Sequence, residues 1–156
     1  DGDGQDANFA KAFVGDEVCR LICDVLCRNT SKTNIFLDRN CIGADGAAAL
    51  ANMLKVNRTV RTLSLEWNGI GTSLQGVESL ARALQVNCSL TSLVLCNNKI
   101  TAQGAYVLAQ ALRGNCTLKE LDLRWNEIGN SGARALRDSL DVNIAISTIK
   151  LSGNKV

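Results

Sequence analysis

The chain has 156 residues, with 17 lysines and arginines against 15 aspartates and glutamates and no histidine. A formal charge of +2 with no basic block provides no footprint for nucleic acid or an anionic membrane surface, and no apolar run approaches the ~20 residues that cross a bilayer. Hydrophobic residues make up 46% but aromatic ones only 4%, so Leu and Ala must fill the interior, which suits thin repeated layers better than one globular core.

Taken from the N-terminus, residues 1–14 read as a disordered, acidic leader. Asp1-Gly2-Asp3-Gly4-Gln5-Asp6 has the alternating start of a calcium loop. It lacks the Gly at position six, and Ala12 stands where the bidentate Glu belongs. No apolar signal segment is present. The chain lacks an initiating Met and stops in a strand-like segment, so it is expected to be a piece of something longer.

From residue 15 to 156 one pattern takes over. Val18, Ile22 and Leu26, followed by Asn29, predict the helix of a first, degenerate unit. Next comes Ile35-Phe36-Leu37-Asp38-Arg39-Asn40-Cys41-Ile42, whose form LxLxxNxI returns at Leu63, Leu93, Leu121 and Ile149, in steps of 28, 30, 28 and 28 residues. Between the copies, Gly46, Gly76, Gly104 and Gly132 are each followed by Leu four and eight residues on: Leu50/Leu54, Leu80/Leu84, Leu108/Leu112 and Leu136/Leu140. Three residues past each pair stands Asn57, Asn87, Asn115 or Asn143.

Each half of the unit has a physical cause. Alternation in LxL is the period of a short strand with one buried face. Leu at i and i+4 with Ala between is the period of a helix with one apolar stripe. Gly43, Gly71, Thr101 and Gly129 stand at the helix entries, where Gly and Thr can cap. The Asn after each strand is expected to turn inward and satisfy backbone groups where the ladder ends. No such coil can bury its stripe alone, whereas stacked coils bury one another's. The fold expected is α/β, a right-handed solenoid arc of one degenerate plus about four and a half repeats. Its parallel strands, near Leu37, Leu65, Leu95, Leu123 and Leu151, should line the concave face, with helices outside. The two extra residues of the 30-residue unit belong in the loop between Ile70 and Gly76. The apolar side of the terminal coil at Val156 would need a further repeat or a cap.

Several motifs are better explained by the repeat than by separate chemistry. The four sequons at Asn29, Asn57, Asn87 and Asn115 fall on the unit's own helix-exit Asn. Cys19, Cys23 and Cys27 share a helical face but lack a fourth ligand, so they read as packed thiols rather than zinc ligands. Seven cysteines without a paired spacing suit a reducing, intracellular compartment. Without His, and with no Cys or Ser beside an evident base, catalysis has no machinery; neither a cofactor nor a metal is expected. What remains is the strand face. Its outward residues are Phe36, Asp38 and Arg39; Ser64, Glu66 and Trp67; Val94, Cys96 and Asn97; Asp122, Arg124 and Trp125; Lys150 and Ser152. Trp and Arg are enriched in interface hot spots, so the leading contact candidates are Glu66, Trp67, Arg124 and Trp125, with Val94 and Cys96 as floor and Phe36, Asp38 and Asp122 beside them. A packing role for each Trp over its own turn is equally open. The expected partners are proteins on this face, not nucleic acid or membrane. Self-association through the open C-terminal coil, or through a coiled coil downstream, is a second route.

The 28-residue unit with LxLxxNxI, Gly-Ala and Asn resembles the ribonuclease-inhibitor class of leucine-rich repeats, which also serves innate-immune receptors and GTPase-activating solenoids. Leu63-Ser64-Leu65-Glu66-Trp67-Asn68 opens the lengthened unit, and Leu121-Asp122-Leu123-Arg124-Trp125-Asn126 opens a unit of normal length. That order is similar to a family of leucine-rich-repeat linker proteins of the centrosome, over residues 17–156. The resemblance implies a cytoplasmic, non-enzymatic scaffold of the centrosome or ciliary base, continuing into a long coiled coil. It carries across no contact residue, and Cys96 and the degenerate first unit depart from the pattern. A recognition array of a nucleotide-binding immune receptor and a GTPase regulator remain the alternatives.

Overall fold

The computed structural model describes residues 4–155, which wind into successive coils. Six coils open on short strands: β1 (Asp6–Asn8), β2 (Asn34–Phe36), β3 (Thr62–Ser64), β4 (Ser92–Val94), β5 (Glu120–Asp122) and β6 (Thr148–Lys150). Five continue into helices: α1 (Gly15–Leu26), α2 (Ala44–Val56), α3 (Leu74–Leu84), α4 (Ala102–Leu112) and α5 (Gly129–Leu140). The strands form one sheet in chain order, every pair parallel. Each helix is therefore a return crossing that packs on the helix of the next coil.

Register follows from burial. Ile35 pairs with Leu63, Leu63 with Leu93, Leu93 with Leu121 and Leu121 with Ile149. A slip of one residue would turn this row out to solvent. The strands end before the second Leu of each LxL, slightly earlier than expected, but inter-coil bonding runs on. The Leu37 N–H donates to Ser64 O at 2.9 Å and the Trp67 N–H to Cys96 O at 3.0 Å. The interior is one apolar cluster running through the coils. In the last coil Ile149 and Leu151 are only partly buried, whereas Leu63 and Leu65 are wholly so.

Two expectations are corrected. Residues 6–14 are not a disordered leader. Asp6–Asn8 forms β1, and the N–H groups of Phe9, Lys11 and Gly15 donate onward to Phe36, Asp38 and Asn40 carbonyls; residues 1–3 lie outside the described residues. Ala7, Phe9 and Val14 stand 28 residues before Ile35, Leu37 and Ile42, so the unit is complete, with Ala12 in place of the Asn. The second correction concerns the entry to α3. The extra residues form a 3₁₀ turn, Ile70–Thr72, between Ile70 and Gly76 as expected, and β3 keeps its register. The cap is Ser73 rather than Gly71, its hydroxyl accepting the Gln75 N–H at 3.3 Å. Gly71 answers a different demand: a Cβ there would lie 2.6 Å from Lys99 O and 2.7 Å from Ile100 Cα of the next coil.

Candidate protein-binding face

Where each strand ends, backbone groups lose their sheet partners, and the repeat Asn supplies replacements. Asn68 Oδ1 accepts from the N–H groups of Asn40 at 3.1 Å and Ile42 at 2.9 Å, both in the coil before it. Its Nδ2 donates to Leu37 O and Leu65 O, each at 3.0 Å. Asn40, Asn98, Asn126 and Asn154 repeat the arrangement, each serving the preceding coil. The first coil has no described coil before it to serve, and Ala12 stands at its Asn position. A second ladder runs along the helix exits, where Asn57, Asn87, Asn115 and Asn143 donate to Leu26, Leu54, Leu84 and Leu112 carbonyls. Asn57, Asn87 and Asn115 are thus buried, and the nitrogen a glycan would need is already donating. Asn29, half-buried, accepts from the Ser31 and Lys32 N–H groups.

Between strand and ladder sits a column of left-handed residues, one per coil: Lys11, Arg39, Trp67, Asn97, Trp125 and Gly153, with φ from 54° to 80°. This conformation is uncommon for bulky side chains. Here the ladder on one side and the strand on the other hold it, and it swings the side chain out while the next residue turns in. Trp67 is consequently 50% and Trp125 61% exposed. Neither ring is bare on both sides. The Arg39 guanidinium lies 5.2 Å from the Trp67 ring centre. The Trp125 ring rests on Gly153, where a Cβ would come within 2.6 Å of Cε3. Each indole is thus covered on one flank by a neighbouring coil and otherwise left open.

The other outward rows are more engaged than the sequence implies. Asp38 accepts from the Ser64 hydroxyl at 2.5 Å and the Glu66 N–H at 2.7 Å. Arg124 forks onto Asp122, with Nε at 2.9 and 3.0 Å from its two oxygens and the terminal nitrogen at 2.6 Å. Asp122 is buried. Burial pushes its carboxyl up, but hydrogen bonds and charge from Arg124, aided by Lys150, outweigh this and hold it below the usual range. Cys96 is buried too, and burial with the Asp122 and Glu66 carboxylates nearby pushes its thiol up. Lys150 pairs with Glu120, and Phe36 and Val94 are half-buried.

Of the sequence candidates, Glu66, Trp67, Arg124 and Trp125 are brought together around Asn97, lining with Cys96 a shallow depression of about 420 Å³. Cys96 and Asp122 lie beneath the surface and shape it, whereas Phe36 and Asp38 belong to the earlier coil β2 opens. Asn97 and Arg39 were placed on the face by the repeat but not among its leading contacts. Their register with the Trp pair was the signal available.

Of the remaining thiols, Cys41, Cys88 and Cys116 are exposed and Cys27 is half-buried. All seven cysteines are free. Cys19 and Cys23 are buried in α1, Cys19 within 3.8 Å of Gly46 O. A hydrogen bond with Cys19 and burial push the Cys23 thiol up, so it stays protonated. Among the described residues no three thiol or carboxylate groups converge as a metal cage, and no helix is long and apolar enough to cross a membrane.

Strands stacked in chain order, helical returns and an internal Asn ladder define a leucine-rich-repeat solenoid. Residues 56–81, 86–109 and 114–136 match the family described as Leucine Rich repeat. The chain is 39% identical over 99 residues to Leucine-rich repeat-containing protein 45 of Gallus gallus, an alignment covering 60% of this chain and 15% of that protein. Among solved structures, Leiomodin-1 Actin-Binding Site 2 (ABS2) matches with a TM-score of 0.69 over 88% of this chain and 81% of that one. At 23% identity that likeness shows the fold alone. This chain is a leucine-rich-repeat protein similar to Leucine-rich repeat-containing protein 45, of whose length it spans about 15%.

Proposed function

We propose that the chain is a non-enzymatic protein-interaction scaffold of the ribonuclease-inhibitor repeat type, and that its strand face holds the partner. The observation that carries this reading is the pair of half-exposed indoles, Trp67 and Trp125, fixed on rigid turns two coils apart. Large amphipathic rings immobilised before binding lose little entropy when a partner covers them. A shallow, curved sheet suits a helix or loop of another protein better than a small molecule. Similarity to Leucine-rich repeat-containing protein 45 supports a cytoplasmic place at the centrosome or ciliary base, as the repeat segment of a linker protein. Dispersed charge supports protein rather than nucleic acid or membrane as the partner. Self-association through the last coil, whose Ile149 and Leu151 are only partly covered, is an additional contact of this reading.

The test is proximity labelling in cells with the wild-type chain and with a Trp67→Ala/Trp125→Ala double variant. The wild type should label a defined protein set enriched at the centrosome, and the folded double variant should lose it. The same set labelled by both would move the site off the strand face.

A further inference from the structure

The two indoles enclose a slot whose chemistry is specific. The flank of Trp67 towards β2 carries Arg39, and Trp125 is seated on Gly153. Both rings also border the depression over Asn97. Strands lie about 4.8 Å apart, so residues two coils apart are separated by about 10 Å. Allowing for ring thickness, that leaves room for one flat group between them.

Charge at the slot is not balanced. Arg124 is engaged by Asp122 through three short contacts, and Lys150 is paired with Glu120. Glu66 has no ion-pair partner among the described residues, and the Asp38 carboxylate accepts its N–H. Asn97 donates its Nδ2 to Cys96 Sγ at 3.3 Å, which leaves its Oδ1 facing no donor among the described residues. The slot thus presents two π faces, a carboxylate and an amide oxygen, all of which attract a cation that donates hydrogen bonds.

We propose that this slot receives an arginine side chain of the protein partner, its guanidinium stacked between Trp67 and Trp125 over Asn97, with Glu66 as counter-charge. The inference rests on the strand-face reading above. Guanidinium is flat, weakly hydrated and has donors only, so it matches the slot in shape and chemistry, whereas an ammonium would fill it without the planar fit. A carboxylate would meet Glu66, and an aliphatic side chain would leave Glu66 and Asn97 unpaired. Arg39 over Trp67 shows the same stacking within the chain.

The chain holds two tryptophans, both at the slot, so tryptophan emission, excited selectively over the single tyrosine, reports it. The full chain is titrated with a capped pentapeptide carrying one central arginine and with the same peptide carrying citrulline, which keeps the shape and removes the charge. The arginine peptide should give a saturable change, with the citrulline peptide about tenfold weaker. Glu66→Gln should weaken the arginine peptide about fivefold and leave the citrulline peptide unchanged, with an unaltered melting temperature. Equal binding of the two peptides, no saturable change with either, or indifference to Glu66→Gln overturns the proposal. If no peptide signal is seen while the Trp67→Ala/Trp125→Ala variant still loses its partners, the arginine inference fails and the strand-face reading stands. Retention of partners by that variant defeats the strand-face reading itself.

Discussion

Trp67 and Asn68 are consecutive residues, as are Trp125 and Asn126, yet each pair divides its labour. Asn68 is 8% exposed and holds five hydrogen bonds, most of them to the preceding coil. Trp67 is half-exposed, with the Arg39 guanidinium over one side of its ring. The left-handed backbone at the Trp separates the two, sending one side chain out and the next one in. The inner column is Asn in every coil from Asn40 to Asn154, because only a side chain with both a donor and an acceptor can serve both strand ends. The outer column runs Lys11, Arg39, Trp67, Asn97, Trp125, Gly153, with no such demand on it. In a repeat, architecture shows in what recurs and specificity in what does not.

The largest effects on stability are expected in the inner column. Asn98→Ala and Asn126→Ala should each cost about 1–3 kcal/mol by stranding buried backbone groups. Melting should fall by about 2–4 °C per kcal/mol, and an unchanged melting temperature in both would show that the amides are not structural partners. Asn40→Ala should cost less, roughly 1 kcal/mol, since it serves only the first coil. Hydrogen exchange should quicken at the Ala12 and Val14 N–H groups that Asn40 accepts and stay unchanged around Leu93. Equal acceleration in both places would mean that the coils do not open separately.

The salt bridge beneath the outer face lies between these extremes. Arg124 holds the Asp122 carboxyl below its ordinary range in the folded chain, so the unfolded chain binds that proton more readily. The stabilisation is therefore present above the unfolded value of about 3.9 and lost as pH falls through the lower folded value. Asp122→Asn should be less stable than wild type by roughly 1 kcal/mol at neutral pH, with the gap narrowing as acid titrates the wild type. A gap that widens below pH ~4 would reverse the sign of the shift. The smallest stability effect belongs to the outer column. Trp67→Ala/Trp125→Ala should change unfolding by less than about 1 kcal/mol while abolishing partner capture. A loss as large as that of Asn98→Ala would erase the distinction.

The strands at Ile35, Leu63, Leu93, Leu121 and Ile149 were legible because each alternates large apolar residues around the same Asn. The strand at Asp6–Asn8 was hidden: Ala7 and Phe9 replace the aliphatic pair, and Ala12 replaces the marker. The loop position of the two extra residues was readable from the spacing of Asn68 and Gly76. Its capping by Ser73 was not, because a 3₁₀ turn moved the helix start past Gly71. At the site, the alternation identified which residues leave the core side of the sheet, but not that Cys96 and Asp122 stay buried there.

The period, the strand and helix stripes, the buried Leu and Asn columns and the position of the Trp pair follow from the order of residues within one unit. These follow from burial periodicity, which is local and repeats every coil. Which coil each Asn serves, the engagement of Arg124 by Asp122, the cover of one indole each by Arg39 and Gly153, and the place of Asn97 beneath the slot all arise from how the coils stack. Several of these contacts join residues 26 to 31 positions apart, and stacking alone brings such residues together. Whether a polar side chain on the outer face is free or already engaged depends on its neighbours in the coils before and after, which no pattern within one repeat encodes.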